Sequence, residues 1–153
     1  MFHRKLAVIA LATLAAAPAF ALDAEQAQKA TETRQSVLKV VGWNMGPLGA
    51  MARGLVPYDG ELVARNAQRI AWMSSMLPDA FRADTRPHDV ATEALPVIWE
   101  NYARFEELSA NTQASAERLA EIAASGDEAA TKQAISALVD DCRACHNDFR
   151  LDD

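Results

Sequence analysis

Apolar residues recur along this chain at steps of three and four, and no stretch sustains the alternation of a half-buried strand. Between Asp23 and Ala50, Val37, Leu38, Val41, Met45 and Leu48 share one face of a first helix, with a bend expected at Gly46-Pro47. Gly54, Pro57 and Gly60 in "RGLVPYDG" then break the pattern, and Asp59 is placed to cap the next helix. This second helix, near 60 to 77, turns Leu62, Ile70, Met73 and Leu77 inward and stops at Pro78. The segment "PDAFRADTRPHDVATEA" reads as a long loop. Pro96 suits the first turn of a third helix, whose face of Ile98, Tyr102, Phe105, Ala116, Leu119 and Ile122 runs to about Ala124. Ser125 and Glu128 have capping-box spacing at the head of a fourth helix, which carries Ile135, Leu138, Cys142, Cys145 and Phe149 inward. The pattern predicts an all-α fold, an antiparallel up-down-up-down four-helix bundle.

The first 21 residues do not belong to that pattern. "MFHRKLAVIALATLAAAPAFA" has a basic start, an apolar run from Leu6 to Ala17 and a small-x-small ending at Ala19-Phe20-Ala21. These are the marks of a secretory signal peptide cut after Ala21, leaving residues 22–153 as one exported domain. A retained anchor would need ~20 consecutive apolar residues, and Pro18 interrupts the run. Half of the 153 residues are apolar, enough for a core. Without Arg4 and Lys5 the chain keeps 13 basic residues against 21 acidic ones, a net charge of −8. That balance disfavours nucleic acid and anionic membranes as partners.

The chemistry concentrates in "CRACH", residues 142–146, which hold both cysteines of the chain. C-x-x-C-H is the attachment signal of c-type haem. Two thiols three residues apart can add to the two vinyl groups on one porphyrin edge, while the adjacent imidazole reaches the iron. A structural zinc site needs about four ligands, and only His88 remains in the mature chain to supplement the motif. A thioredoxin-like pair belongs in a βαβ setting, for which there is no strand. A disulfide within one helix would close a very small loop and constrain little.

Together with "RQSVL", "PYDG", "LPVIWENYARF" and "CRACHNDFR", the motif makes the mature chain resemble the cytochromes c′, periplasmic four-helix haem proteins that are commonly homodimers. The resemblance implies covalent haem c on Cys142 and Cys145, with His146 as the metal ligand. It places Arg34 and Gln35 near the haem propionates, Glu93 at the haem edge, and Phe81, Trp99 and Phe105 along the pocket. Arg150 matches a basic residue beside the proximal side. Leu38 matches the apolar residue on the distal side of the iron, where related low-spin cytochromes carry a ligating methionine. Leucine cannot coordinate, so the expected iron is five-coordinate and high-spin.

Met45 stands roughly 10 Å from Leu38 along the helix, too far to replace it. Met51, Met73 and Met76 are expected to be packing residues, and His88 a solvent-exposed loop histidine. The expected function is non-enzymatic binding of small gases, nitric oxide first and carbon monoxide second. A one-electron carrier with a redox partner protein is the competing class, and a thiol oxidoreductase would require free thiols without a chromophore. The flank of the first two helices, with Trp43 and Trp72, is the expected dimer face.

Overall fold

A computed structural model describes residues 22–151; the signal-peptide expectation concerns residues outside that range. The described residues form four long helices and two short ones, with no strand among them. Helix α1 spans Ala24–Ala52. It opens with a reciprocal cap: the Gln26 backbone N–H donates to the Asp23 carboxylate at 2.8 Å, and the Asp23 N–H donates to Gln26 Oε1 at 3.0 Å. The helix runs through Pro47. The hydrogen bond lost there is that of the Trp43 carbonyl, on a turn whose tryptophan is 70% exposed, so water can replace it. It closes on Gly54 (φ +69°), with Gly54 N–H donating to Met51 O and Leu55 N–H to Ala50 O. That pair of bonds is the Schellman arrangement, which needs a left-handed residue at this point.

Helix α2, Gly60–Ser75, starts where Asp59 accepts from the Leu62 N–H at 2.9 Å, as expected. Its buried stripe is Val63, Asn66, Ala67, Ile70, Ala71 and Ser74, and Leu62 and Met73 lie only at its edge. The helix does not run to Pro78. It ends one turn earlier, and α3, Leu77–Phe81, begins at once with Pro78 in its first turn. Proline clashes with a helix that continues into it but fits one that starts there. The expected long loop is shortened accordingly to residues 82–96. The third helix is also divided: α4 (Val97–Glu100) and α5 (Tyr102–Ala124) meet at Asn101, whose φ −128° and ψ 51° are not helical.

Helix α6 spans Glu128–Phe149. Its cap is Asp127, accepting from Ala130 N–H at 2.9 Å, and not the expected Ser125–Glu128 box. Ser125 Oγ donates to the Ile122 carbonyl instead, which removes it from the cap. Packing is most extensive between α2 and α5, then α5 and α6, then α1 and α2; α1 and α6 touch far less. One core cluster centres on Leu48, Val63, Ile70, Leu119, Ile135 and Leu138. The other joins Val37, Leu77, Phe81, Ile98, Phe105 and Phe149. No described helix is long and apolar enough to cross a membrane.

Candidate haem site

The inward face of α6 spans both clusters. Cys142 packs against the first and Cys145 against the second, each partly buried as a free thiol. Burial raises both thiols: Cys145 to about 11, helped by Cys142 and Asp148, and Cys142 upward with a smaller push from Asp141. Thiols held protonated in this way are poor spontaneous nucleophiles. His146, one helical turn after Cys142, is exposed as a residue. Lost hydration still lowers its pKa, the Arg150 charge lowers it further, and Glu93 opposes the change.

Across the thinly packed seam, α1 meets the same two clusters. Val37 belongs to the cluster that Cys145 touches, and Val41 and Met45 pack on the one that Cys142 touches. Leu38, 40% exposed, joins neither cluster and lies on the face shared by Arg34, Val41 and Met45. An exposed leucine on this face is an apolar side chain left without a partner in either core cluster.

Arg34, one turn before Leu38 on α1, is 1% exposed. Its Nη1 donates to Thr85 Oγ1 at 3.0 Å and its Nη2 to Thr92 Oγ1 at 3.2 Å. Its Cζ lies 5.3 Å from the ring centroids of both Phe81 and Trp99. No carboxylate among the described residues pairs with it, and its buried Nε lacks a hydrogen-bond partner. Burial alone lowers its pKa. A buried cation of this kind suits an anionic group brought by a ligand. Gln35 reaches the same loop, its Nε2 donating at 2.9 Å to the carbonyl of Ala91, next to Thr92.

The aromatic residues form a continuous wall. Phe81 and Phe105 have centroids 4.7 Å apart, Phe105 and Phe149 are edge-on at 5.6 Å, and Trp99 Nε1 donates to the Phe81 carbonyl at 2.9 Å. Glu93 lies far along the chain from α6 yet is ion-paired with Arg150 at 2.8 Å. Thr85, Thr92 and Phe149 were not among the expected site residues. The threonines sit in an irregular loop where nothing in their spacing marks them, whereas Phe149 was legible as a core position. His88 is partly buried, which corrects its expected exposure; its backbone N–H donates to Thr85 O at 3.1 Å. It borders a shallow depression of 450 Å³ with Leu22, Ala83, Asp84 and Pro87. A larger one, 620 Å³, lies at the opposite end around Tyr58 and Ala123, and neither borders the C-x-x-C-H motif.

A helical bundle that carries paired thiols and a histidine at C-x-x-C-H spacing on its last helix, and a buried guanidinium without a carboxylate partner among the described residues, has the character of a c-type haem protein. Residues 29–150 match the family described as Cytochrome C′. Cytochrome c′ of Halomonas halodenitrificans is 35% identical over 129 residues, 82% of this chain and 98% of the relative. The fold is similar to that of cytochrome c prime from Shewanella frigidimarina, with a TM-score of 0.76 and 31% identity over 84% of this chain and 98% of the other. It also matches the nitric oxide complex of a leucine-to-isoleucine mutant of cytochrome c prime from Alcaligenes xylosoxidans, at 25% identity and a TM-score of 0.72, covering 82% of this chain and 97% of the other. The chain belongs to the cytochrome c′ family of haem proteins.

Proposed function

We propose that residues 22–153 form an exported, periplasmic haem c domain whose five-coordinate iron reversibly binds nitric oxide and, secondarily, carbon monoxide, serving nitric oxide sequestration and not enzymatic turnover. The haem, when bound, supplies a redox-active iron with an open coordination position. Cys142 and Cys145 hold it through thioether bonds, and His146 provides the protein ligand. Phe81 and Phe105 wall the pocket. Arg34, already ordered by two threonines and two rings, receives a propionate; Gln35 anchors the adjoining loop through Ala91.

Leu38 carries the reading. It lies, 40% exposed, on the face of α1 that carries Arg34, Val41 and Met45, and it offers no lone pair, so a small diatomic ligand bound there would meet an apolar side chain. Dioxygen gains little there, because its polarised bound form needs a donor. Met45 and Met73 pack against the core clusters and Met51 is buried, which favours Leu38 over these methionines as the residue on the distal side. Trp43 (70% exposed) and Trp72 (60%) extend an apolar flank of α1 and α2, the proposed homodimer face.

The decisive measurement is the electron paramagnetic resonance spectrum of the ferric protein, with visible spectra before and after nitric oxide. High-spin or mixed-spin iron and ready binding by the ferrous form are expected. A purely low-spin signal would instead indicate a sixth protein ligand and a one-electron carrier acting with a redox partner.

A further inference from the structure

The chain segment before α4 and the end of α6 are fastened together beside His146. Ala94 and Arg150 form an isolated antiparallel bridge, Leu95 N–H donates to Phe149 O at 2.9 Å, and Leu151 N–H donates to Glu93 O at 2.8 Å. Arg150 N–H donates to the His146 carbonyl at 3.0 Å, so the same residue caps the turn that holds the histidine. Its side chain reaches back across the strap, Nε donating to Glu93 Oε2 at 2.8 Å.

We infer that Glu93 is a positioning residue for the iron's protein ligand: its carboxylate holds the Arg150 guanidinium in this strap and offsets its charge next to His146, so that the pair sets the ferric-to-ferrous balance. This rests on His146 being the ligand, as proposed above. One-electron reduction adds a negative charge at the iron, so a nearby positive group favours the ferrous form and a nearby negative group the ferric form. Arg150, whose backbone N–H bonds the His146 carbonyl, and Glu93, ion-paired to it at 2.8 Å, bring one charge of each sign to this turn. Both are partly exposed, with 40% and 60% of their side-chain surface accessible, so solvent screening keeps the effect modest.

The test is a mediated spectroelectrochemical titration of the haem-loaded protein at low ionic strength, with thermal melting in parallel. At fixed applied potential Glu93→Gln raises the ferrous-to-ferric ratio about two- to fivefold, and Arg150→Gln lowers it by a similar factor. The double variant returns close to wild type, because both charges go together. High salt narrows the differences. A Glu93→Gln protein that melts lower but keeps the wild-type ratio would show a purely structural strap and overturn the inference. If Glu93→Gln does not fold, Arg150→Gln decides alone: a ratio that is unchanged or raised overturns it. A wild-type chain without the haem band overturns the haem reading itself, and colour separates that failure from the others.

Discussion

Arg34 on α1 and Trp99 on α4 stack at 5.3 Å, and the guanidinium between Trp99 and Phe81 has no carboxylate partner among the described residues. A charge removed from water without a counter-ion contributes little net stability, whereas an incoming propionate makes the same residue favourable. Arg34→Met should therefore change the stability of the haem-free chain by no more than about 1 kcal/mol. The haem-loaded chain should lose about 1.5–3 kcal/mol, as for a charge-assisted hydrogen bond. Urea denaturation of both forms checks this, and equal losses would sink the assignment of an anionic partner.

Leu38→Met tests the open iron site. The thioether should bind the iron, converting the ferric signal from high-spin to low-spin. Nitric oxide association with the ferrous protein should slow by roughly tenfold or more, the factor for ~1.4 kcal/mol of ligand displacement. Stopped-flow kinetics with resonance spectra read both changes. An unchanged spin state would mean that Leu38 does not face the iron.

Acid should weaken the 82–96 loop through Asp84. The Arg86 side chain donates to its carboxylate at 2.7 and 3.0 Å, and this hydrogen bonding holds Asp84 below its ordinary value of 3.8. A depressed carboxylate stabilises the fold fully above the unfolded-state value and loses that contribution as pH falls through the folded-state value. The window therefore lies below about pH 4. With its side chain 38% exposed, Asp84→Asn should cost under about 1 kcal/mol at pH 7. The variant should also show a shallower stability loss below pH 4, measured by denaturant midpoints across pH. A variant as acid-sensitive as wild type would show that Asp84 has no part in the acid response.

Placing glutamate at both Trp43 and Trp72 should dissociate the proposed homodimer without altering the haem spectrum, because these exposed side chains belong to neither core cluster. Sedimentation equilibrium at micromolar concentration reads the mass. A wild-type chain that is already monomeric there contradicts the assignment of this face.

Much of this protein was legible in one dimension because its information is local. Steps of three and four along Ile135, Leu138, Cys142, Cys145 and Phe149 commit α6 to one inward face, and the structure buries or half-buries all five. The Asp59 cap was readable for the same reason, since an N-cap acts within three residues. The C-x-x-C-H motif announces its chemistry by spacing alone. What pattern could not decide were choices between neighbours or across the fold. Ser125 and Asp127 both offer cap oxygens, and chain geometry selected Asp127. The α2 stripe fell on Val63, Ala67 and Ser74, where small side chains suit the contact with α1 and α5. By spacing alone Arg34 reads as an ordinary solvated helix residue, and only the resemblance carried by "RQSVL" points it to a propionate. Only the tertiary structure brings Thr85, Thr92, Phe81 and Trp99 around it and Glu93 onto Arg150. Those contacts join residues about 50 or more positions apart, and no local periodicity encodes them.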